Sequence, residues 1–227
     1  MLGTIVNAAA IAVGGALGLL LKKGLPEKVS DTVVQGMALV CLYIGVSGAL
    51  KGQNALIATI AIVVGGVIGA LLDLDGHFTR GVEKLEHALI KQARPDSRFG
   101  EGFVTATLLF CVGAMAVVGS LNSGLTGDHA VLFTKSVLDG VSSIVFASAM
   151  GAGVLLSAVA VLVYQGTITL LAQVVAPVLS EAAIAEMTCA GSLLIIAIGL
   201  NMLKLTNIRV MNLLPAIFLP ILLCLFL

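Results

Sequence analysis

Asp139 is the residue with the clearest chemical potential in this sequence, because it is a carboxylate inside an otherwise apolar stretch. It lies in TKSVLDGVSS, four residues after Lys135, and Ser142 and Ser143 follow it by three and four residues. Residues three or four apart share one face of a helix, so these groups form a charged and hydroxyl-lined face. Such a face within a membrane indicates a solute, ion or proton site, or a Lys135–Asp139 pair that closes a short helix at the interface.

Further polar side chains stand at the predicted depth of a bilayer. Tyr164 and Gln165 lie in AVLVYQGTITLL directly before Gly166, which gives this stretch a polar and flexible midpoint. Polar groups around a glycine are typical of binding sites on interrupted membrane helices, and hydrogen bonds between helices explain them equally well. We therefore predict a solute or ion path lined by Asp139, Ser142, Ser143, Tyr164, Gln165, Asn7, Ser47 and Asn201.

The composition shows which class of protein must position these residues. Of the 227 residues, 59% are hydrophobic and 11% are charged, and the mean hydropathy is +1.14. Soluble domains carry about 25% charged residues. A membrane-crossing helix needs about 20 apolar residues, and eight stretches approach that length: 3–21, 33–50, 54–72, 102–121, 136–150, 152–178, 184–203 and 210–227. The sequence thus predicts an all-α, polytopic transmembrane helical bundle.

The number of spans is seven or eight, because the stretch 136–150 is short and polar. Short cytosolic loops are enriched in Lys and Arg. With eight spans, ten of the twelve basic residues lie on one side of the membrane, and only Lys51 and Lys135 lie opposite; with seven spans the ratio falls to eight to four. We therefore predict eight spans with both termini outside the cytosol. Four polar residues are then expected at the external surface in contact with water: Asp128, His129, Glu181 and Glu186.

A hydrophilic segment divides the chain into two membrane halves. Ten of the 24 charged residues lie within 74–101, where we predict an amphipathic helix along the cytosolic interface that ends at Arg94 and Pro95. Three spans precede it in 1–73, three follow in 102–178 with one of them short or re-entrant, and a two-span hairpin occupies 179–227. GTIVNAAAIAVG resembles GFVTATLLFCVG, which favours inverted three-helix repeats; chance similarity of Ala- and Gly-rich helices is the alternative.

Two GxxxG pairs predict close packing of helices. They are Gly14 with Gly18 in the first stretch and Gly65 with Gly69 in the third. Glycines at this spacing let two helix backbones approach each other within a membrane. The same pattern also fits association of identical chains, so a homo-oligomer is a second interpretation.

The motifs that are absent from the sequence argue against an enzyme. GxSxG, HExxH and P-loop patterns do not occur. All three histidines lie outside the predicted spans, and the four cysteines lie in apolar runs without metal-ligand spacing, so we expect no catalytic site, metal or cofactor. A divalent cation takes about six oxygen ligands, so a small solute or a monovalent ion fits better. We predict a transporter or channel, with a non-transporting scaffold as the alternative.

Four segments carry a resemblance to a known family. They are GTIVNAAAIAVGG, the central GFVTATLLFCVGAMAVVGSLNSGLTGDHAVLFTKSVLDGVSS, VLVYQG and NIRVMNLLPA. The sequence resembles the YqgA/YdfK-like family of bacterial inner-membrane proteins over essentially its whole length. The resemblance implies a multi-pass inner-membrane location but no substrate, since that family is a domain of unknown function. In an inner membrane, the N-terminus that the basic residues place outside the cytosol is expected in the periplasm. A net charge of zero gives no indication of nucleic-acid binding, which leaves the lipid bilayer and a small solute or ion as partners.

Overall fold

The computed structural model describes residues 1–22, 27–89, 98–177 and 179–225, and within these ranges it contains helices and no strand. The predicted all-α fold is therefore confirmed. In chain order the helices are α1 (Leu2–Lys22), α2 (Glu27–Ala49), α3 (Ala55–Leu71), α4 (Leu74–Leu89), α5 (Phe99–Cys111), α6 (Ala114–Leu125), α7 (Ala130–Met150), α8 (Gly153–Leu170), α9 (Ala172–Val175), α10 (Glu181–Met202), a 3₁₀ helix (Val210–Ile217) and α11 (Leu219–Leu223).

Five of these helices are long and apolar enough to cross a membrane: α1, α2, α7, α8 and α10. By length and composition the number of spans rises to seven if each of two bent helix pairs is one span. The stretch 136–150, which is short in the sequence pattern, belongs to α7, a helix of 21 residues. The helix extends beyond the apolar stretch because Lys135 is buried and paired with Asp139, so this charge does not mark the end of the span.

The two bent pairs change direction at residues with unusual backbone conformations. α5 and α6 meet at 58° beside Gly113, whose φ is +129°, and α3 and α4 meet at 60° beside Asp73, whose φ is +45°. A φ of +129° is accessible to glycine because it has no Cβ. The stretch 102–121, predicted as one continuous helix, is therefore broken near its middle.

The last predicted span, 210–227, does not form one long helix within the residues that the structure describes. Val210–Ile217 is a 3₁₀ helix that contains Pro215, and α11 follows with only five residues and Pro220 near its start. A proline has no N–H to donate and its ring clashes with the preceding turn, so two prolines five residues apart prevent a regular α-helix. The apolar stretch is thus interrupted at its prolines, and its role as the second span of the C-terminal hairpin stays a prediction.

The long helices pack on partners far away in sequence. α1 packs mainly on α7 and α8, α2 on α10, α3 on the 3₁₀ helix, and α5 on α8. Gly3 lies beside Leu132 and Gly18 beside Ala147, so α1 and α7 run parallel. The division into two membrane halves and the inverted repeat stay predictions, because these helix pairings alone do not show that the two halves have the same fold.

These directions define two ends of the bundle, which we call the Met1 end and the Lys22 end after the two ends of α1. An ion pair at 3.2 Å joins Arg98, directly before α5, to Asp31 in the first turns of α2 at the Lys22 end. The turn between α2 and α3 lies at the Met1 end, where it contacts the first turns of α10. Described basic residues collect at the Lys22 end: Lys28, Arg80, Arg98, Lys204 and Arg209.

The amphipathic helix predicted in 74–101 is present as α4. Its apolar residue Phe78 stacks on Phe103 of α5, with ring centroids 5.7 Å apart and planes 6° from parallel. The backbone N–H of Asp75 donates to Asn212 Oδ1 at 2.9 Å, which joins α4 to the 3₁₀ helix. Val82, Leu85 and Leu89 follow Phe78 at spacings of four, three and four residues, which predicts one apolar stripe. Their side chains lie outside the described residues, as do Arg94 and Pro95.

The glycines of both GxxxG pairs lie at helix contacts. A Cβ built on Gly14 would meet the carbonyl oxygen of Gly140, and one built on Gly18 would meet that of Ile144. Cβ atoms on Gly65 and Gly69 would meet the backbone of the 3₁₀ helix at Ala216 and Asn212. Within this chain, these glycines therefore allow helix backbones to touch.

Candidate functional site

A buried polar cluster lies where α1, α7 and α8 meet. Thr4 and Asn7 precede Ile11, Gly14 and Gly18 on one stripe of α1, with spacings of three and four residues that keep them on one face. The two glycines bring that face against α7, and the cluster occupies the part of the contact nearer the Met1 end. It contains Asn7, Lys135, Asp139 and Gln165, which we call the Asp139 cluster.

The cluster is held together by an ion pair and two amide hydrogen bonds. Lys135 Nζ donates to Asp139 Oδ1 at 2.8 Å and lies 2.7 Å from Oδ2 in the same ion pair. Asn7 Nδ2 donates to Asp139 Oδ2 at 3.0 Å and to Gln165 Oε1 at 3.3 Å. Asn7 and Gln165 are fully buried, and Asp139 is 5% exposed. Because a buried charge is costly without a partner, Lys135 is what allows Asp139 to lie at this depth.

Two polar atoms of the cluster have no hydrogen-bond partner among the described residues. They are Asn7 Oδ1, an acceptor, and Gln165 Nε2, a donor. An unsatisfied buried polar group costs about 1–3 kcal/mol, and such groups are commonly satisfied by a water molecule or a ligand. A free acceptor and a free donor on contacting side chains suit a small molecule that carries both kinds of group.

Polar side chains extend the Asp139 cluster toward the Met1 end, and apolar side chains bound it toward the Lys22 end. Thr4 Oγ1 and Thr169 Oγ1 lie 3.4 Å apart one turn nearer that end. One turn further into the bundle, Ile11 of α1 and Val161 of α8 are fully buried apolar side chains. Asn7 and Gln165 lie five residues from the ends of their helices, which is roughly 8 Å at 1.5 Å per residue. The cluster is therefore closer to the Met1 end than to the Lys22 end.

The structure does not bring all of the predicted path residues together. Ser143 is buried beside Gly14 and donates to the carbonyl of Gly140 at 2.8 Å, whereas Ser142 is half-buried on another side of α7. Ser47 is exposed on α2. These serines add no contact to the Asp139 cluster.

Asn201 lies at the end of α10, near the Lys22 end. Its Nδ2 donates to Ile208 O at 2.8 Å, and its Oδ1 accepts from Thr206 Oγ1 at 2.7 Å and from Ile208 N at 2.9 Å. These bonds close the loop that follows α10. The side chain thus has a structural role that explains its polarity without a solute.

Tyr164 neighbours Gln165 in sequence but faces a different space. It lines an apolar cavity of about 180 Å³ together with Phe78, Phe103 and residues of the 3₁₀ helix. Consecutive helical residues point about 100° apart, so one of the two reaches the Asp139 cluster and the other does not. The predicted polar midpoint of α8 is therefore divided between two environments.

Sequence analysis missed the burial of Glu186, which it placed at the water-exposed surface. Its side chain is 1% exposed, and Oε1 accepts hydrogen bonds from the backbone N–H groups of Gln53 at 2.6 Å and Asn54 at 2.8 Å. One signal of this burial was available in the sequence. Ser180 caps α10, so Glu186 falls in the second turn of a helix whose following residues are mostly apolar. The carboxylate there lies against the backbone of the α2–α3 turn.

No group of three or more potential metal-binding side chains occurs in the described part of the chain. The four cysteines are free and lie on different elements. The site that the described residues form is therefore built from amides, hydroxyls and one ion pair.

The long apolar helices and the buried polar cluster define a polytopic helical membrane protein. The chain matches the family described as "Protein of unknown function (DUF554)" over residues 2–225, and it belongs to that family. It is 31% identical over 224 residues to the "Uncharacterized membrane protein YdfK" of Bacillus subtilis (strain 168), covering 97% of this chain and 94% of the relative. It is 30% identical over 222 residues to the "Uncharacterized protein YqgA" of Escherichia coli (strain K12), covering 96% and 94%. No solved structure matches the chain.

Proposed function

We propose that this protein moves a small polar solute or a monovalent ion across the membrane, and that the Asp139 cluster is its binding site. The observation that carries the proposal is the pair of unsatisfied atoms, Asn7 Oδ1 and Gln165 Nε2, beside a buried carboxylate. Polar groups within membrane segments usually face a partner or a pathway. A solute that donates to Asn7 and accepts from Gln165 would satisfy both atoms.

The charge of the cluster favours a solute without net charge. Lys135 and Asp139 neutralise each other at 2.7 Å, so a charged ligand would be attracted weakly. A zwitterionic or uncharged molecule with adjacent donor and acceptor groups fits best. A monovalent ion is the second ligand class, and its binding to Asp139 would require Lys135 to move away.

The direction of entry follows from the shape of the polar surface. Thr4 and Thr169 extend the cluster toward the Met1 end, and Ile11 and Val161 close it toward the Lys22 end. The basic residues gathered at the Lys22 end support a cytosolic position for that end. The N-terminus would then lie in the periplasm of a bacterial inner membrane, and the shorter polar route to the cluster would begin outside the cytosol.

A membrane scaffold is the second candidate function. One specific observation favours it: Lys135 satisfies Asp139 within the protein, so the ion pair needs no solute. Two cavities among the described residues, one near α3 and one near α5, are also lined by residues other than Asn7, Asp139 and Gln165. In this case the cluster would fix the register of α1, α7 and α8.

Flux into proteoliposomes distinguishes the two functions. Glycine and glycerol serve as zwitterionic and neutral probes, and Na⁺ and K⁺ as ionic probes. We expect flux of at least one probe. Gln165→Leu should reduce it about tenfold or more because it removes the free donor that the solute accepts from, and Asp139→Asn should reduce it because it leaves Lys135 without its counter-charge beside the site. Thr134→Val is the matched control, since Thr134 is exposed on the same helix. Equal flux in all variants would remove the cluster from the mechanism, and no flux above empty liposomes would support the scaffold.

A further inference from the structure

A second buried carboxylate lies in a cavity that the proposed transport site does not use. The cavity has a volume of about 460 Å³ and lies at the Met1 end, between the α2–α3 turn, α3 and α10. Among its described lining residues, Glu186 is the charged one, and Asn54, Thr59 and Cys189 are the other polar ones. None of its lining residues belongs to the Asp139 cluster, so the two sites are separate.

The two oxygens of Glu186 differ in their environment. Oε1 accepts two backbone hydrogen bonds, from Gln53 N at 2.6 Å and Asn54 N at 2.8 Å. Oε2 is buried and has no hydrogen-bond partner among the described residues. The turn therefore fixes the carboxyl group in place and leaves one oxygen free. A buried carboxylate oxygen without a donor is costly, so this atom requires a partner.

Two other polar atoms of the cavity are already engaged. Asn54 Oδ1 accepts from Leu56 N at 3.0 Å as the cap of α3, and Thr59 Oγ1 donates to Ala55 O at 2.7 Å. The rest of the lining consists mainly of small and branched apolar side chains, including Ala58, Ile62 and Leu193. The cavity thus combines one free carboxylate oxygen with apolar walls.

We propose that this cavity binds a primary ammonium group attached to a short hydrocarbon body, with Glu186 Oε2 as the acceptor. An ammonium has three N–H donors, and a charge-assisted bond to a carboxylate is roughly twice as strong as a neutral one. The apolar walls contact the hydrocarbon part, whose burial supplies further affinity. The ammonium group comes either from a free alkylamine or from the headgroup of a lipid such as an ethanolamine phospholipid.

Two other cationic ligand classes fit the cavity less well. A divalent metal ion takes about six oxygen ligands, and the cavity offers one free carboxylate oxygen. A quaternary ammonium is usually held by aromatic faces, and none of the described residues that line this cavity is aromatic. The primary ammonium is the cation that one carboxylate can recognise by hydrogen bonding.

The test uses the full-length protein in phosphatidylcholine nanodiscs, with n-hexylammonium and n-hexanol as probes of similar length. We expect hexylammonium to bind more tightly than hexanol, and Glu186→Gln to weaken hexylammonium by about tenfold or more while leaving hexanol unchanged. Glutamine keeps an Oε1 acceptor for the turn, so folding is retained. Glu181→Gln is the matched control, because Glu181 is exposed on the same helix. Equal affinity of Glu186→Gln and the native protein for hexylammonium would overturn the proposal.

A second variant leaves the carboxylate in place and fills the cavity. Ala55 is exposed at the first turn of α3 and lines the cavity, so Ala55→Leu should exclude both probes without disturbing the core. Unchanged binding of both probes to this variant would place them elsewhere and overturn the site.

Repeating the native titration in phosphatidylethanolamine nanodiscs identifies the source of the ammonium. If this lipid weakens hexylammonium binding to the native protein but not to Glu186→Gln, the site binds a lipid headgroup. If the affinity of the native protein for hexylammonium is the same in both lipids, the site binds free amines.

Discussion

Gly14 of α1 lies against the backbone carbonyl of Gly140 in α7, so closely that a side chain on Gly14 would overlap that oxygen. This contact sets the separation of the two helices beside the polar cluster. Asp139 directly precedes Gly140, and Asn7 lies two turns before Gly14 on the same stripe of α1. The hydrogen bond of 3.0 Å from Asn7 to Asp139 therefore depends on a glycine that has no chemistry of its own.

The first prediction concerns this glycine contact. Gly14→Ala should lower the thermal stability of the protein, because overpacking a close contact typically costs about 1–3 kcal/mol. Gly36→Ala is the matched control, since a Cβ on Gly36 meets no other residue within 4 Å. There the substitution should raise stability by about 0.5–1 kcal/mol, because alanine is the better helix former. Thermal unfolding in one detergent measures both, and a Gly14→Ala protein as stable as Gly36→Ala would contradict the described α1–α7 contact.

The second prediction concerns the ion pair within the cluster. Lys135→Met and Asp139→Leu should each destabilise the protein by about 3–5 kcal/mol, because each leaves one uncompensated buried charge. The double variant removes both charges and should recover most of the loss. A double-mutant cycle based on reversible unfolding in mixed micelles measures the coupling.

The exposed residue Lys51 provides the control for that cycle. Lys51→Met removes the same kind of charge at the Met1 end, where water solvates it, and surface changes of this kind usually alter stability by less than about 0.5 kcal/mol. Additive effects of the two substitutions in the cluster would show that Lys135 and Asp139 do not form a pair in the folded protein.

The third prediction separates Asn201 from the solute path. Asn201→Ala removes three hydrogen bonds that close the loop after α10. We expect faster tryptic cleavage at Lys204 and Arg209, which lie in that loop or at its end, together with unchanged flux per folded molecule. Thr126→Val, which removes two side-chain hydrogen bonds near the other end of the bundle, serves as the control for cleavage at this loop. A selective loss of flux without a change in proteolysis would return Asn201 to the transport path.

The contrast between Asp139 and Asn201 shows what the sequence could and could not predict. Helical periodicity places Lys135 and Asp139 on one face, and the structure confirms this local pair. Both Asn7 and Asn201 stand in apolar stretches, and nothing in the local pattern tells which helix each will face. The partners of α1 are more than a hundred residues away, and only packing selects them. The exposure of Glu186 was misjudged for the same reason, since its burial depends on the turn at Gln53 and Asn54.

The differences between the predicted spans and the observed helices have local causes in the backbone. Hydropathy predicts that 102–121 and 210–227 are continuous spans, because hydropathy averages over many residues. Gly113, with a φ of +129°, and Pro215, within the 3₁₀ helix, each change the path of the chain at one position. Such positions weigh little in a window of about 20 residues, although they decide whether a single helix forms.

The fourth prediction concerns the orientation of the bundle in the membrane. Lys51 and Arg209 are exposed at the Met1 end and the Lys22 end, so single cysteines at these positions report on opposite sides. In a background from which the four native cysteines have been removed, we expect a membrane-impermeant maleimide added to intact cells to label Lys51→Cys. Arg209→Cys should react only after the cells are opened, because the basic Lys22 end is expected in the cytosol. Labelling of Arg209→Cys in intact cells would reverse the orientation, and entry of solute from the Met1 end would then begin in the cytosol.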